Sequence, residues 1–377
     1  MIPLHRPYIS DEELVEIKKV LDSRWLTQGP KGKEFEKSVQ DYLGVEYVVA
    51  CSSCTAALHL SLMALNLPDW SNVLVADYSY PATSHAVKYC DYIPIFVDVD
   101  PFTYNIDMDD LKRKINANTT ALILVHTFGQ CADMDPILQF ANDKGLYLIE
   151  DAACAMGSKY KNRFAGTMGD INCFSFHATK GVGIGEGGMI TTNNKELADR
   201  ARKFAYFGIE SSWTKEKSNE FSIPVFDTLG YNYKLSDVSA AMGVVQMRKV
   251  DKVIKKKRIL AQYWDMKLQS IDEITAPFVD PNCFHNYQGY TTVVSKKIDR
   301  NKLITVLKDR GVQTQIGTYA CHTQPVYKTD TVCPTSLDIY NRALRLPMFY
   351  ELTTLEIDKA AAILKESLNE CYINKRT

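Results

Sequence analysis

Apolar segments of strand length recur through the first half of this chain, with segments of helix length between them. Tyr47-Val-Val-Ala50, Asn72-Val-Leu-Val-Ala76, Ile93-Pro-Ile-Phe-Val97, Ala121-Leu-Ile-Leu-Val125 and Leu146-Tyr-Leu-Ile149 each read as a strand. The runs are continuously apolar, as in strands buried on both faces. Parallel neighbours need a crossover, usually a helix. The alternation therefore predicts an α/β fold, a mostly parallel sheet flanked by helices, out to about residue 200.

The last third changes character. Tyr290-Thr-Thr-Val-Val-Ser295 and Val312-Gln-Thr-Gln-Ile316 read as strands, and Arg300 to Arg310 and Thr354 to about Leu368 as helices. This predicts a smaller C-terminal α+β domain. A long helix opening after Asp237 and running to about Lys257 links the two, with Val238, Ala241, Val245 and Val250 on its face. The expected division is 1–245 and 246–377. The lysine run 255–257 reads as a solvated helix face. Residues 208–220 are polar and read as a surface excursion. At the start, Ser10-Asp-Glu-Glu caps a helix whose face is Leu14, Ile17 and Leu21.

Charge narrows the partners. The net charge is -1 with no long basic run, which argues against nucleic acid and membrane surfaces. No apolar run approaches the ~20 residues of a membrane span, and the first residues are not a signal peptide. The ten cysteines show no framework spacing and read as reduced thiols of a cytoplasmic protein.

The chemistry centres on Asp170 to Thr192, which reads as strand, loop, strand. Between the strands stands Lys180, followed by five glycines in eight residues. A lysine on such a turn, beside hydroxyls and backbone amides, suits Schiff-base chemistry with an aldehyde cofactor. Gly183, Gly185 and Gly188 fit G-x-G-x-x-G, but a strand follows them, so they are no dinucleotide fingerprint. Cys51-Ser-Ser-Cys-Thr-Ala-Ala lies after a strand and before an apolar helix. Exposed amides and the helix dipole make that start an anion site suited to phosphate. Its C-x-x-C, Cys51 and Cys54, also fits a thiol redox pair, and a lone pair is weak for zinc. Tyr80 ends a strand where a ring can stack on a flat ligand. Glu150-Asp151 ends another, at the edge where α/β ligands bind. A carboxylate there suits a pyridinium nitrogen, although acids also cap helices.

Together these stretches resemble the sugar aminotransferases that use pyridoxal phosphate, the DegT/DnrJ/EryC1/StrS family, with its type I aminotransferase fold. The resemblance runs through Trp25-Leu-Thr-Gln-Gly-Pro30, Ser53-Cys-Thr-Ala-Ala-Leu-His59, Val97-Asp-Val-Asp100, His126-Thr-Phe-Gly129 and Glu150-Asp-Ala-Ala153. It continues through Phe174-Ser-Phe-His-Ala-Thr-Lys180, Gly185-Glu-Gly-Gly188, Gly230-Tyr-Asn-Tyr233 and His322-Thr-Gln-Pro325.

The resemblance implies a role for each matching position. Lys180 holds the cofactor and later moves protons, and Asp151 pairs with the pyridine nitrogen. Tyr80 stacks on the ring. The amides of Thr55 and Ala56, with the Ser175 hydroxyl, cradle the phosphate. Asn232 reaches the phosphate of a neighbouring subunit, which implies a homodimer with shared active sites. His322 lines the sugar pocket. No metal is implied. Cys154 stands where Gln or His often contacts the ring hydroxyl, Cys54 where a smaller residue is usual, and Gly181 where Asn is common.

The implied reaction passes an amino group from glutamate through pyridoxamine phosphate to a nucleotide-linked keto sugar, a 4-keto-6-deoxy sugar by preference, and releases 2-oxoglutarate. The resemblance implies amino sugars for surface polysaccharides, glycan tags or antibiotics. Alternatives are another keto substrate, a dehydratase of the same family, or a thiol redox protein. The dehydratases place His at the lysine position, so Lys180 argues against that reading.

Overall fold

The computed structural model describes residues 1–209, 223 and 225–373. The excursion expected over 208–220 thus falls almost wholly outside the described residues. Seven strands build one sheet: β1 (Tyr47–Cys51), β2 (Asn72–Ala76), β3 (Ile93–Val97), β4 (Thr119–Val125), β5 (Tyr147–Asp151), β6 (Ile171–Ser175) and β7 (Gly188–Thr192). Their spatial order is β1-β7-β6-β5-β4-β2-β3. Only β7 runs antiparallel to its neighbours, β1 and β6. The pairs from β6 to β3 are parallel. This is the mostly parallel α/β sheet that the alternation predicts.

The reversal at β7 has a local cause. Phe176 N–H donates to Gly187 O at 2.9 Å and Ala178 N–H to Gly185 O at 2.8 Å. The glycine-rich loop is therefore a hairpin, not a crossover. In β2, Val73 through Ala76 are fully buried, so both sheet faces are covered.

A second, antiparallel sheet orders Ile274–Thr275, Tyr290–Val294, Ala343–Leu346 and Gln315–Ile316. It packs with the helices Arg300–Asp309 and Thr354–Leu368 around its own core, which includes Trp264, Leu303 and Leu364. Ile2 joins that core, and its N–H donates to Gly311 O at 2.7 Å.

The linking helix runs unbroken from Asp237 to Leu268. Residue 245, where the division was placed, falls inside it. The helix outlasts its expected end because Leu260, Ala261, Trp264 and Leu268 carry a buried stripe into the second core.

Two expectations about helix faces are corrected. The first helix, Asp11–Ser23, has the expected capping box at Ser10. Yet it buries Glu13, Glu16 and Val20, and leaves Leu14 and Leu21 more than half exposed. Glu13 is drawn inward by Lys249 at 2.7 Å and Gln246 at 2.6 Å. Lys257 is buried, not solvated. It sits three residues from both Ile254 and Leu260, on the face the helix turns inward.

Candidate active site

Adjacent residues of a strand point to opposite faces, so Glu150 and Asp151 have separate duties. Glu150 accepts from His126 Nε2 at 2.7 Å and from the Gly166 and Gly169 amides at 2.7 and 2.6 Å. Burial alone would raise its carboxyl; these donors hold it below the usual range. It anchors a turn. Asp151, at the carboxyl end of β5, accepts from Thr83 Oγ1 at 2.7 Å and Ala153 N–H at 3.1 Å. Burial pushes its carboxyl up, with the Lys180 amine opposing that shift. No ion pair engages Asp151 among the described residues.

Parallel pairing sets the next residues beside it. Asp151 lies opposite Cys173 on β6, and Ser175 ends that strand two residues on. Ser175 pairs in turn with Gly188. A Cβ at Gly188 would stand 2.2 Å from Ser53 O, so this approach requires glycine. Ser53 caps the helix Cys54–Leu65, its side chain accepting from Ala56 N–H at 3.1 Å. Ser175 is thereby brought beside a helix N-terminus. Of the two amides named above, Ala56 is taken by the cap, and Thr55 has no intrahelical acceptor.

Lys180 rises from the hairpin loop, and its Nζ donates to Cys154 Sγ at 3.2 Å. Gln288 Nε2 braces the loop by donating to Thr179 O at 3.1 Å. Tyr80 precedes the helix Ala82–Tyr89 and is 68% exposed, which leaves a ring face open. Ser79 Oγ donates to Thr83 Oγ1 at 3.2 Å, so the segment carrying Tyr80 is bonded to the hydroxyl that holds Asp151.

His322 follows the short strand Tyr319–Ala320. Tyr319–Ala320 pairs with Tyr78–Ser79, and Asp77 receives both His322 N–H and Nδ1 at 2.6 Å. Asp77, His322 and Cys333 offer ligand atoms within 4.8 Å of one another. Both Asp77 oxygens are already bonded to His322, and Lys114 Nζ stands 3.4 Å from the Cys333 thiol. A cation is therefore already in place there. Asn232 is exposed and accepts from Lys234 Nζ at 2.6 Å, and the carbonyl of its neighbour Tyr233 accepts Ser52 N–H at 2.7 Å.

One chain thus gathers an amine, a buried carboxylate with no ion pair among the described residues, and a hydroxyl at a helix start. A pyridinium N–H would answer Asp151, and a phosphate would answer Thr55 and Ser175. These residues fit pyridoxal phosphate.

Residues 7–365 match the model of the DegT/DnrJ/EryC1/StrS aminotransferase family. The chain belongs to that family. This aminotransferase is 33% identical to the GDP-perosamine synthase of Escherichia coli O157:H7, over 99% of each chain. It is 34% identical to the dTDP-4-dehydro-2,3,6-trideoxy-D-glucose 4-aminotransferase of Saccharopolyspora spinosa, over 100% of this chain and 99% of that one. The structure of DesI in the presence of its TDP-sugar product superposes with a TM-score of 0.88 at 29% identity, covering 97% of this chain and 93% of that one.

The redox reading of the aminotransferase's C-x-x-C meets an obstacle. Both thiols are free, and burial pushes Cys51 up to about 12 and Cys54 well above its ordinary value. A reactive pair needs the opposite shift. Among the described residues, no helix is long and apolar enough to cross a membrane. Sequence reasoning passed over Thr83 and Asp77. Neither partner, Asp151 or His322, is near in sequence.

Proposed function

We propose that this aminotransferase moves an amino group from glutamate to a nucleotide-linked keto sugar, a 4-keto-6-deoxy sugar by preference, using pyridoxal phosphate. The observation that carries the reading is the convergence of Lys180, Asp151 and Ser175 beside one helix start. The curated relatives' names, a perosamine synthase and a 4-aminotransferase, support the substrate class.

When bound, the cofactor supplies an aldehyde for the amine and a ring that accepts electrons from a deprotonated carbon. The protein's residues do the rest. Asp151 holds the proton on the ring nitrogen, and Thr83 fixes the carboxylate that does so. Thr55 N–H, the helix dipole and Ser175 Oγ take the phosphate. Tyr80 covers one ring face. Lys180 Nζ would take a proton from the substrate carbon as base and give it, as acid, to the carbon on the far side of the nitrogen. Cys154 Sγ gives that amine a resting partner between steps. His322, its tautomer set by Asp77, lines the sugar side.

The shared site of a homodimer follows the same reading. Asn232 is exposed, and so are Leu14, Leu21, Trp25, Leu26 and Leu229, apolar side chains that a second copy would cover.

The test is absorbance of the cofactor-loaded protein and of Lys180→Ala. Glutamate should bleach the visible band of the lysine-bound cofactor in the unaltered enzyme only. A panel of keto sugar nucleotides should then restore the band, and the one that does identifies the acceptor. A protein that takes up no cofactor overturns the reading.

A further inference from the structure

Two cysteines that are distant in sequence meet below the surface. Cys131 N–H donates to Cys283 Sγ at 3.1 Å, across 152 residues of chain. The Cys131 thiol donates to the same sulfur. Cys131 is 3% exposed and Cys283 9%. Neither serves the proposed transamination.

The segments that carry them are bonded to each other on both sides of the sulfurs. Before Cys283, Asp280 N–H donates to Gln130 Oε1 at 3.0 Å. After it, Asn286 N–H donates to Ser158 Oγ at 3.3 Å, and that hydroxyl donates to Gly129 O at 2.6 Å. Each cysteine is also fixed by its own backbone. Cys283 pairs with Tyr160 in a short antiparallel ladder, and Cys131 O accepts from Asn105 Nδ2 at 3.0 Å. The two sulfurs stay together unless these bonds break.

The two sulfurs are not equivalent. The S–H of Cys131 holds the Cys283 thiol below its ordinary value, burial opposes that, and the N–H of Cys131 adds to it. The same S–H bond, with burial, pushes Cys131 well up. Elsewhere burial pushes Cys51, Cys90, Cys321 and Cys333 up to about 12. The thiolate is the form that attacks an oxidant, so the surroundings favour Cys283 as the attacking sulfur and leave Cys131 a protonated neighbour.

We propose that Cys283 and Cys131 form a site for a small peroxide, which closes them reversibly into a disulfide. Cys283 Sγ attacks one peroxide oxygen and the O–O bond breaks. The sulfur is oxidised to a sulfenic acid, and the departing hydroxide takes up the proton that Cys283 gave away. Cys131 Sγ then attacks the oxidised sulfur, the S–S bond forms, the S–O bond breaks, and the oxygen leaves as water with the Cys131 proton. Two thiols and one peroxide thus give one disulfide and two waters. A small dithiol reopens the bond by exchange and is itself oxidised to a disulfide. The closed bond ties 129–131 to the segment 283–288, whose Gln288 braces the Lys180 loop through Thr179 O.

The test treats the cofactor-loaded enzyme with hydrogen peroxide, caps the remaining thiols with N-ethylmaleimide under denaturing conditions, and maps the peptides by mass spectrometry. The expected product is a Cys131–Cys283 linked peptide that dithiothreitol removes. A bond that closes so long a loop constrains the unfolded chain, so the oxidised form should melt a few degrees higher than the reduced one. In Cys131→Ser the sulfenic acid should persist on Cys283 and be captured by dimedone, while Cys283→Ser should leave Cys131 unoxidised. Both cysteines recovered as maleimide adducts, with Cys154 or another thiol oxidised instead, overturns the proposal. So does oxidation of Cys283 to a sulfinic acid without a disulfide, and dimedone on Cys131 overturns the assigned order. The linked peptide is read in the unaltered enzyme, so a variant that fails to fold leaves the test standing.

Discussion

Thr83 Oγ1 donates to Asp151 Oδ2 at 2.7 Å, and both side chains are buried. The hydroxyl joins two sheet-edge segments that are 68 residues apart in sequence. It stabilises the ionised form of a carboxyl that burial pushes up.

Thr83→Val keeps the shape and removes that donor. Hydrogen bonds to charged groups contribute about 1.5–3 kcal/mol, so cofactor affinity or the transfer rate should fall roughly 10- to 100-fold. Cofactor titration by fluorescence and single-turnover absorbance would read this. Thr83→Ser should recover most of the loss.

Gly188→Ala places a methyl 2.2 Å from Ser53 O and 2.7 Å from Cys54 N, both backbone atoms. Neither can move without shifting the helix start. Cofactor retention after dialysis should fall sharply, with the melting temperature lowered by a loss on the order of 1–3 kcal/mol.

His285 should make stability pH-dependent. Its pKa is held down to about 3, by burial first and by Arg258 next. Tyr287 N–H donates to its Nδ1 at 3.0 Å, which requires that nitrogen unprotonated. The folded state thus refuses a proton that the unfolded state accepts below about 6.5. Stability is complete above that value and falls as pH drops, by up to about 1.4 kcal/mol per pH unit for this group. His5 is held down similarly and adds to the slope. Urea midpoints between pH 5 and 6.5 should show the slope, and His285→Asn should reduce it.

Lys249→Met strands a buried carboxylate. Lys249 Nζ lies 2.7 Å from Glu13, and the two side chains are 9% and 1% exposed. Breaking a buried pair from one side costs about 3–5 kcal/mol. The urea midpoint should fall accordingly. Glu13→Gln together with Lys249→Met should recover much of the loss, because no unpaired charge remains.

The order of strands and helices was written in local pattern. Apolar runs of strand length with helices between them admit little except a parallel sheet. A lysine on a glycine-rich hairpin and an acid at a strand's carboxyl end then fall on the same edge of that sheet. Lys180, Asp151, Ser175 and the helix start after Ser53 were legible for that reason. Each needs only its own strand or turn to be placed.

Other features have no local signature. Lys257 belongs to a lysine run that reads as solvated, and its burial depends on which way a 32-residue helix faces two cores. Leu14 and Leu21 read as a core face, until Glu13 finds Lys249 across 236 residues of chain. Cys154 meets Lys180 and Thr83 meets Asp151 only once the chain has packed, across 26 and 68 residues of sequence. Local periodicity therefore settled the architecture and the edge that carries the chemistry. The partners of each buried charge were decided by tertiary packing, because electrostatic pairing depends on distance in space and not on separation along the chain.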